Sequence, residues 1–228
     1  MSRLPTDSPK TREEFEQVFL TNLATSEWEP HALFSVFTQY DQEYYLSREQ
    51  AFRYKYQCFY AVSKTICAQK IIEMGSCAGA SGDAYLSAAP EAEYIGIDVF
   101  GVNTRRDDRS PWDPYEVAKR LFESRGFKNY HLLKADLRSL SSLPGQADFV
   151  IVDAAHDFDN AYADLKLALT AHPTFIFVDD ADDESGAKPA IDQFLLQDVD
   201  NLLDYTVHID YIGGGLVIKL KNAEQMEL

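Results

Sequence analysis

The sequence predicts an α/β protein built on a doubly wound, mostly parallel sheet of seven strands. Three observations predict it. Short continuous apolar runs alternate with helical patterns from residue 70 onward, the mark of parallel strands buried on both faces. A glycine-rich turn, "GSCAGASG" from Gly75 to Gly82, follows the first of these runs, where sheets of this kind bring backbone close to a ligand. The tail "DYTVHIDYIGGGLVIKL" reads as two strands around a triple glycine, an antiparallel hairpin that closes the sheet.

The elements follow in order. Residues 1–12 form a polar, proline-containing arm. From Thr11 to Leu23, Phe15, Val18, Phe19 and Leu23 recur at helical spacing, with Glu13 and Glu14 in the first turn. The 28–46 stretch is aromatic, carrying Trp28, Phe34, Phe37, Tyr40, Tyr44 and Tyr45. Residues 1–46 are therefore expected to be an N-terminal helical extension, acting as a lid or as the contact of a homodimer. Residues 47–228 form the main domain. "SREQAFRYKYQCFYAVSKTICA" (47–68) predicts a long helix with Ser47 as N-cap and Gln50 as its capping-box partner.

Strands are predicted at "KIIEMG", "YIGIDV" (94–99), "YHLLKAD" (130–136), "DFVIVDA" (148–154) and "TFIFVDD" (174–180). Helices are predicted at 113–126 and 159–172, and the acidic run Asp182, Asp183 and Glu184 reads as a solvated helix start. The loop at 101–114 is long and carries Arg105, Arg106, Arg109 and Trp112. Such loops often serve as lids or acceptor-binding elements.

Composition narrows the function. At 228 residues and 46% hydrophobic, the chain can bury a core of ordinary size. No apolar run reaches the length of about 20 residues that a membrane helix needs, and no secretory signal opens the chain, so a cytoplasmic protein without a membrane partner is expected. The net charge of −16 repels phosphate backbones and argues against nucleic acid. Cys58, Cys67 and Cys77 lack zinc-site spacing and read as reduced, mostly buried thiols.

A dinucleotide fingerprint needs Gly-x-Gly-x-x-Gly; here Gly75, Gly79 and Gly82 miss it at the second glycine. What stands is Glu73-x-Gly75-x-x-x-Gly79-x-Ser81. This pattern resembles motif I of the class I S-adenosylmethionine-dependent methyltransferases, which implies a Rossmann-like sheet with the antiparallel last strand seen here. The resemblance implies a cofactor site made by Glu73, Gly75, Ser76, Gly79, Ser81, Asp98 and Asp136, with Asp98 on the ribose and Asp136 near the adenine. Adenosylmethionine carries no phosphate, so such a turn needs close backbone approach without an anion nest.

A second constellation lies at two strand ends, "IVDAAHDF" and "FVDDADDES". Ligands of open parallel sheets bind outside the carboxyl ends of strands, so Asp153, His156, Asp179 and Asp180 are expected on one rim. Crowded carboxylates repel, and a hard divalent cation would remove that penalty. The pairing of "VDAAH…DL" with "FVDD" is similar to the metal-dependent small-molecule O-methyltransferases of the macrocin and cephalosporin-tailoring branch, over roughly residues 68–220. That resemblance implies Asp153, Asp179 and Asp180 as ligands of a divalent metal, magnesium by preference, which would acidify and orient an acceptor hydroxyl. Some relatives place an aspartate two residues after the strand-four aspartate; Ala155 stands there. His156 is then the candidate base, and Asp153 and His156 the candidate catalytic pair.

The expected function is methyl transfer from S-adenosylmethionine to a hydroxyl of a small molecule. A nicotinamide-dependent oxidoreductase is the competing enzyme class, and a degenerate methyltransferase fold kept for binding is the non-enzymatic one.

Overall fold

A computed structural model describes residues 8–30, 47–101 and 113–221. The strands are β1 (Lys70–Met74), β2 (Glu93–Asp98), β3 (Tyr130–Lys134), β4 (Phe149–Val152), β5 (Phe175–Asp179), β6 (Leu203–Ile209) and β7 (Gly215–Leu220). They form one seven-stranded sheet in the order β3-β2-β1-β4-β5-β7-β6. Neighbours from β3 to β5 are parallel, and β7 runs antiparallel to both β5 and β6. The predicted fold class stands, hairpin included. The chain order reverses between β1 and β4, so a crevice opens at their carboxyl ends.

The helices are α1 (Arg12–Ala24), α2 (Glu49–Ile66), α3 (Ala80–Ala88), α4 (Pro114–Arg125), α5 (Phe158–Leu169) and α6 (Ala187–Gln197). Side chains alternate along a strand, and the alternation sorts the core into two layers. Ile71, Phe149, Ile151, Phe175, Phe177 and Val217 pack with Phe15, Phe59, Tyr85 and Phe122 of α1–α4. Ile72, Met74, Val150, Val152, Ile176, Val178 and Ile218 pack with Leu165 of α5 and Ile191 and Phe194 of α6.

Helix starts follow local chemistry, with two corrections. At α1 the Thr11 hydroxyl and the Glu14 carboxylate form a reciprocal capping box. The N-cap of α2 is Arg48, with no side-chain cap hydrogen bond, and not Ser47 as expected. The helix after β5 begins at Ala187 rather than at Asp182. There Asp182 pairs with His208 at 2.9 Å and Asp183 receives the Ser185 N–H at 2.9 Å, so the acidic run is spent on turns. Cys58 is buried, Cys67 is intermediate and Cys77 is exposed; all three are free, so the expectation of mostly buried thiols holds for Cys58 alone.

The described part of the N-terminal extension is bound into the main core. Phe15 is fully buried, its ring 6.4 Å from that of Phe175. Trp28 stacks on Tyr60 at 5.4 Å. The aromatic residues from Phe34 to Tyr45, and the loop carrying Arg105, Arg106, Arg109 and Trp112, lie outside the described residues.

Candidate active site

The turn after β1 is built from positive φ angles and close approach. Gly75 has φ +94°, and a Cβ there would stand 2.1 Å from the carbonyl oxygen of Asp153, so the turn touches the end of β4 directly. Gly79, at φ +79°, is the N-cap of α3. Between them Cys77 donates its N–H to Asp98 Oδ2 at 3.0 Å, while Phe100 N–H donates to Asp98 Oδ1 at 2.7 Å. Asp98 is thereby fixed at the end of β2 by two backbone donors. A carboxylate has about four lone-pair sites, so Asp98 keeps capacity for two further donors. Ser76 Oγ is buried without a hydrogen-bond partner among the described residues. An orphaned acceptor in the turn is a feature that a bound cofactor would satisfy.

Glu73 sits differently from the expectation. Strand alternation turns it into the layer shared with α2 and α3, where it is 0% exposed. Tyr94 donates a hydrogen bond to Glu73 Oε2, and Ser81 of α3 is buried beside it. Its carboxyl therefore shapes the floor under the turn. Asp136 caps the short turn Leu137–Ser139 and holds Arg138 Nε at 3.0 Å.

Burial pushes the Glu73 carboxyl up from its ordinary 4.5 to about 7. The folded chain then binds this proton more tightly than the unfolded chain does. Stability from this group is greatest below the ordinary value and is lost as pH rises through the folded one, a fall of about 3 kcal/mol. Glu73→Gln is expected to flatten that slope and to raise the urea midpoint above neutral pH. Paired denaturation curves on either side of the window check this; an unchanged slope would sink it.

The same alternation lines up the second constellation. Asp153 and Asp179 continue the faces of Ile151 and Phe177, and the register pairing Val152 with Val178 sets the two aspartates side by side one step on. Burial and the charge of Asp179 push the Asp153 carboxyl well above its usual range. Asp180 follows in the left-handed region at φ +51°, which swings its carboxylate toward the loop after β4. Two glycines make room. A Cβ on Gly213 would lie 2.2 Å from Asp180 Oδ1, and one on Gly186 would lie 1.7 Å from the His156 carbonyl oxygen.

His156 Nδ1 stands 3.5 Å from Asp180 Oδ2. One donor atom each from Asp153, His156 and Asp180 falls within 4.8 Å of the others. Asp179 is not part of this group. Lys55 Nζ lies 2.6 Å from its Oδ2, and Tyr211 donates to its Oδ1 at 2.7 Å. The trio Asp153, Asp179 and Asp180 is thus regrouped: His156 stands where Asp179 was expected.

Three contributors were not foreseen. Lys55 projects from α2 and also reaches Asp180 Oδ1 at 3.4 Å. Tyr211, in the hairpin turn, is buried against Asp179. Asp164 of α5 is buried and bonded to the backbone of Ala155, steadying the loop that carries His156; burial raises its carboxyl to about 6. For Lys55 a signal existed. It shares a helical stripe with Cys58, Phe59, Val62 and Ile66, all buried, and a lysine inside an apolar stripe calls for a buried partner.

No protein-family model matches the chain, and no curated protein sequence matches it. Solved structures do. An SAH-bound methyltransferase from Podospora anserina superposes with TM-score 0.58 over 96% of this chain and 100% of that one, at 16% identity. The fold is a Rossmann-like methyltransferase fold. A Geobacter sulfurreducens methyltransferase gives TM-score 0.56 at 16% identity, over 73% of this chain and 78% of its own. A candidate caffeoyl-CoA O-methyltransferase from Staphylococcus aureus gives 0.55 at 12% identity, over 92% of this chain and 100% of its own. At such identities the likeness speaks for the methyltransferase fold, and the chemistry must be argued from this chain's own residues. No helix among the described residues is long and apolar enough to cross a membrane.

Proposed function

We propose that the chain is an S-adenosylmethionine-dependent methyltransferase that methylates a hydroxyl group of a small molecule. The observation that carries this reading is the adjacency of the two constellations: the Gly75 turn lies directly against the Asp153 backbone. A cofactor held over that turn, with its ribose on Asp98, would present its methyl group toward Asp153, His156 and Asp180. The SAH found in the Podospora anserina protein supports the choice of cofactor, and the candidate O-methyltransferase among the similar structures supports oxygen as acceptor.

A hydroxyl is a weak nucleophile until its proton is shared. His156 is the base in this reading. With Nδ1 facing Asp180 Oδ2 at 3.5 Å, the imidazolium formed on proton transfer would meet a carboxylate. Asp153, at the switch point of the sheet, orients the acceptor in line with the sulfonium methyl, and such positioning supplies much of the rate enhancement. The donor set Asp153, His156 and Asp180 also fits a divalent cation. When bound, the ion would occupy the His156 lone pair that otherwise accepts the proton, and would take over that part by lowering the pKa of the hydroxyl. The two carboxylates suit magnesium and manganese alike.

Calorimetric titration with S-adenosylmethionine and SAH, with metal and with chelator, tests the reading. Binding of both is expected, and its absence from folded protein would overturn the methyltransferase assignment. Methyl transfer to a panel of catechols and sugars then separates an enzyme from a binding protein. The homodimer and the lid role of residues 1–46 belong to the same proposal, and sedimentation with and without cofactor measures the first of them.

A further inference from the structure

Asp153 and Asp179 lie side by side at the ends of adjacent strands, a spacing of about 4.8 Å between backbones, and Asp180 follows at once. Three carboxylates this close, partly out of water, need positive charge. The protein supplies some itself. Lys55 is only 9% exposed, with Nζ 2.6 Å from Asp179 Oδ2 and 3.4 Å from Asp180 Oδ1. Its ammonium also lies 5.5 Å from the Phe59 ring and 5.6 Å from the Tyr211 ring. Tyr211 completes the enclosure through its bond to the second oxygen of Asp179. Both oxygens of Asp179 are thus occupied by protein donors, one of them charged.

We propose that Lys55 is the resident counter-cation of the rim, a positioning residue that holds Asp179 out of metal coordination and leaves Asp153, His156 and Asp180 as the donors of a deliberately weak divalent-cation site. The inference rests on the acceptor-site reading of this rim. It has two consequences. A metal ion approaching Asp180 meets an ammonium already 3.4 Å from one of its oxygens, so affinity is lowered by repulsion. The acidic rim also keeps its geometry when no metal is bound, because Asp179 is anchored by Lys55 and Tyr211. Lys55 acts through Asp179 and Asp180 and not on the reacting atoms.

The experiment is a titration of purified full-length protein with Mn²⁺, following the free-ion signal by electron paramagnetic resonance. Lys55→Gln removes the charge and releases Asp179. Mn²⁺ affinity is expected to rise by at least about tenfold, since a unit charge within a few ångströms weighs more than that at protein dielectrics. Lys55→Gln with Asp179→Asn replaces the ion pair by a neutral pair of similar shape and leaves the net charge unchanged. This double variant is expected to bind Mn²⁺ within about threefold of the parent, because no ligand has been removed, whereas losing a true ligand costs more than the roughly 10–100-fold typical of supporting residues.

A folded Lys55→Gln protein with unchanged Mn²⁺ affinity would overturn the proposal. So would a loss beyond about a hundredfold in the double variant, more than the roughly 10–100-fold typical of supporting residues and therefore the mark of a lost ligand, or no Mn²⁺ binding by any folded form. Should Lys55→Gln alone fail to fold, the double variant decides. SAH calorimetry on the same samples keeps the two questions apart: lost SAH binding counts against the methyltransferase reading, and altered Mn²⁺ binding against the role of Lys55.

Discussion

Replacing His156 by alanine is expected to cut methyl transfer by about 10²–10⁴-fold, the usual contribution of a positioned acid or base, while SAH binds as before. The separation follows from the structure. His156 is exposed in the loop after β4, with Asp180 as its charged neighbour. The turn after β1 is held by other contacts, the bond from the Gly75 N–H to the Ile97 carbonyl and those of Asp98 with Cys77 and Phe100. A base also leaves a mark on the pH profile: its loss should flatten the acidic limb of kcat, and added imidazole should restore part of the rate. Asp153→Asn should slow turnover as well, but without imidazole rescue. Equal activity of the His156→Ala protein and its parent would remove His156 from the chemistry.

The fold was legible because its signals were local and redundant. Continuous apolar runs fixed β1 to β5, and the run of Gly213, Gly214 and Gly215 marked the hairpin of β6 and β7. The order of the strands in the sheet, β3-β2-β1-β4-β5-β7-β6, was not among these local signals; right-handed crossovers narrow the alternatives without choosing one. Helix starts were less legible. Ser47 followed by Gln50 has the look of a capping box, yet the chain caps at Arg48; a capping motif is only a local preference that tertiary packing can override. The acidic run after β5 looked like a helix start and serves turns instead.

The site was legible in part. Period-two alternation places Glu73, Asp153 and Asp179 on one face of the sheet, so their meeting at the strand ends could be read from β1, β4 and β5. Two things could not. Asp180 adopts a left-handed conformation, and its carboxylate fills the space that a side chain at Gly213 would take. The partner of Asp179 comes from α2, 124 positions earlier in the chain, and sequence spacing says nothing of contacts that long. The family resemblance pointed to three aspartates around a metal, but the regrouping depends on Lys55, a residue no motif contains.

The buried pair itself should dominate the stability of this region. Lys55→Gln leaves the Asp179 carboxylate with Tyr211 but no counter-charge in a site where its side chain is only 2% exposed. Burial by itself would pull the Lys55 ammonium down; instead Asp179, Asp153 and Asp180 hold it above its ordinary value. The lysine and the carboxylates therefore stabilise one another's charged forms. Breaking one side of such a pair typically costs about 3–5 kcal/mol, whereas exchanging both partners for neutral groups of similar volume is close to neutral. The single variant is thus expected to lower the urea-extrapolated stability by about that amount. Adding Asp179→Asn should return most of it, to within about 1 kcal/mol of the parent. The coupling between the two positions is what the cycle measures. If each substitution instead cost the same in the presence and absence of the other, the ion pair would contribute nothing specific. The rim would then owe its geometry to the hairpin and its glycines alone.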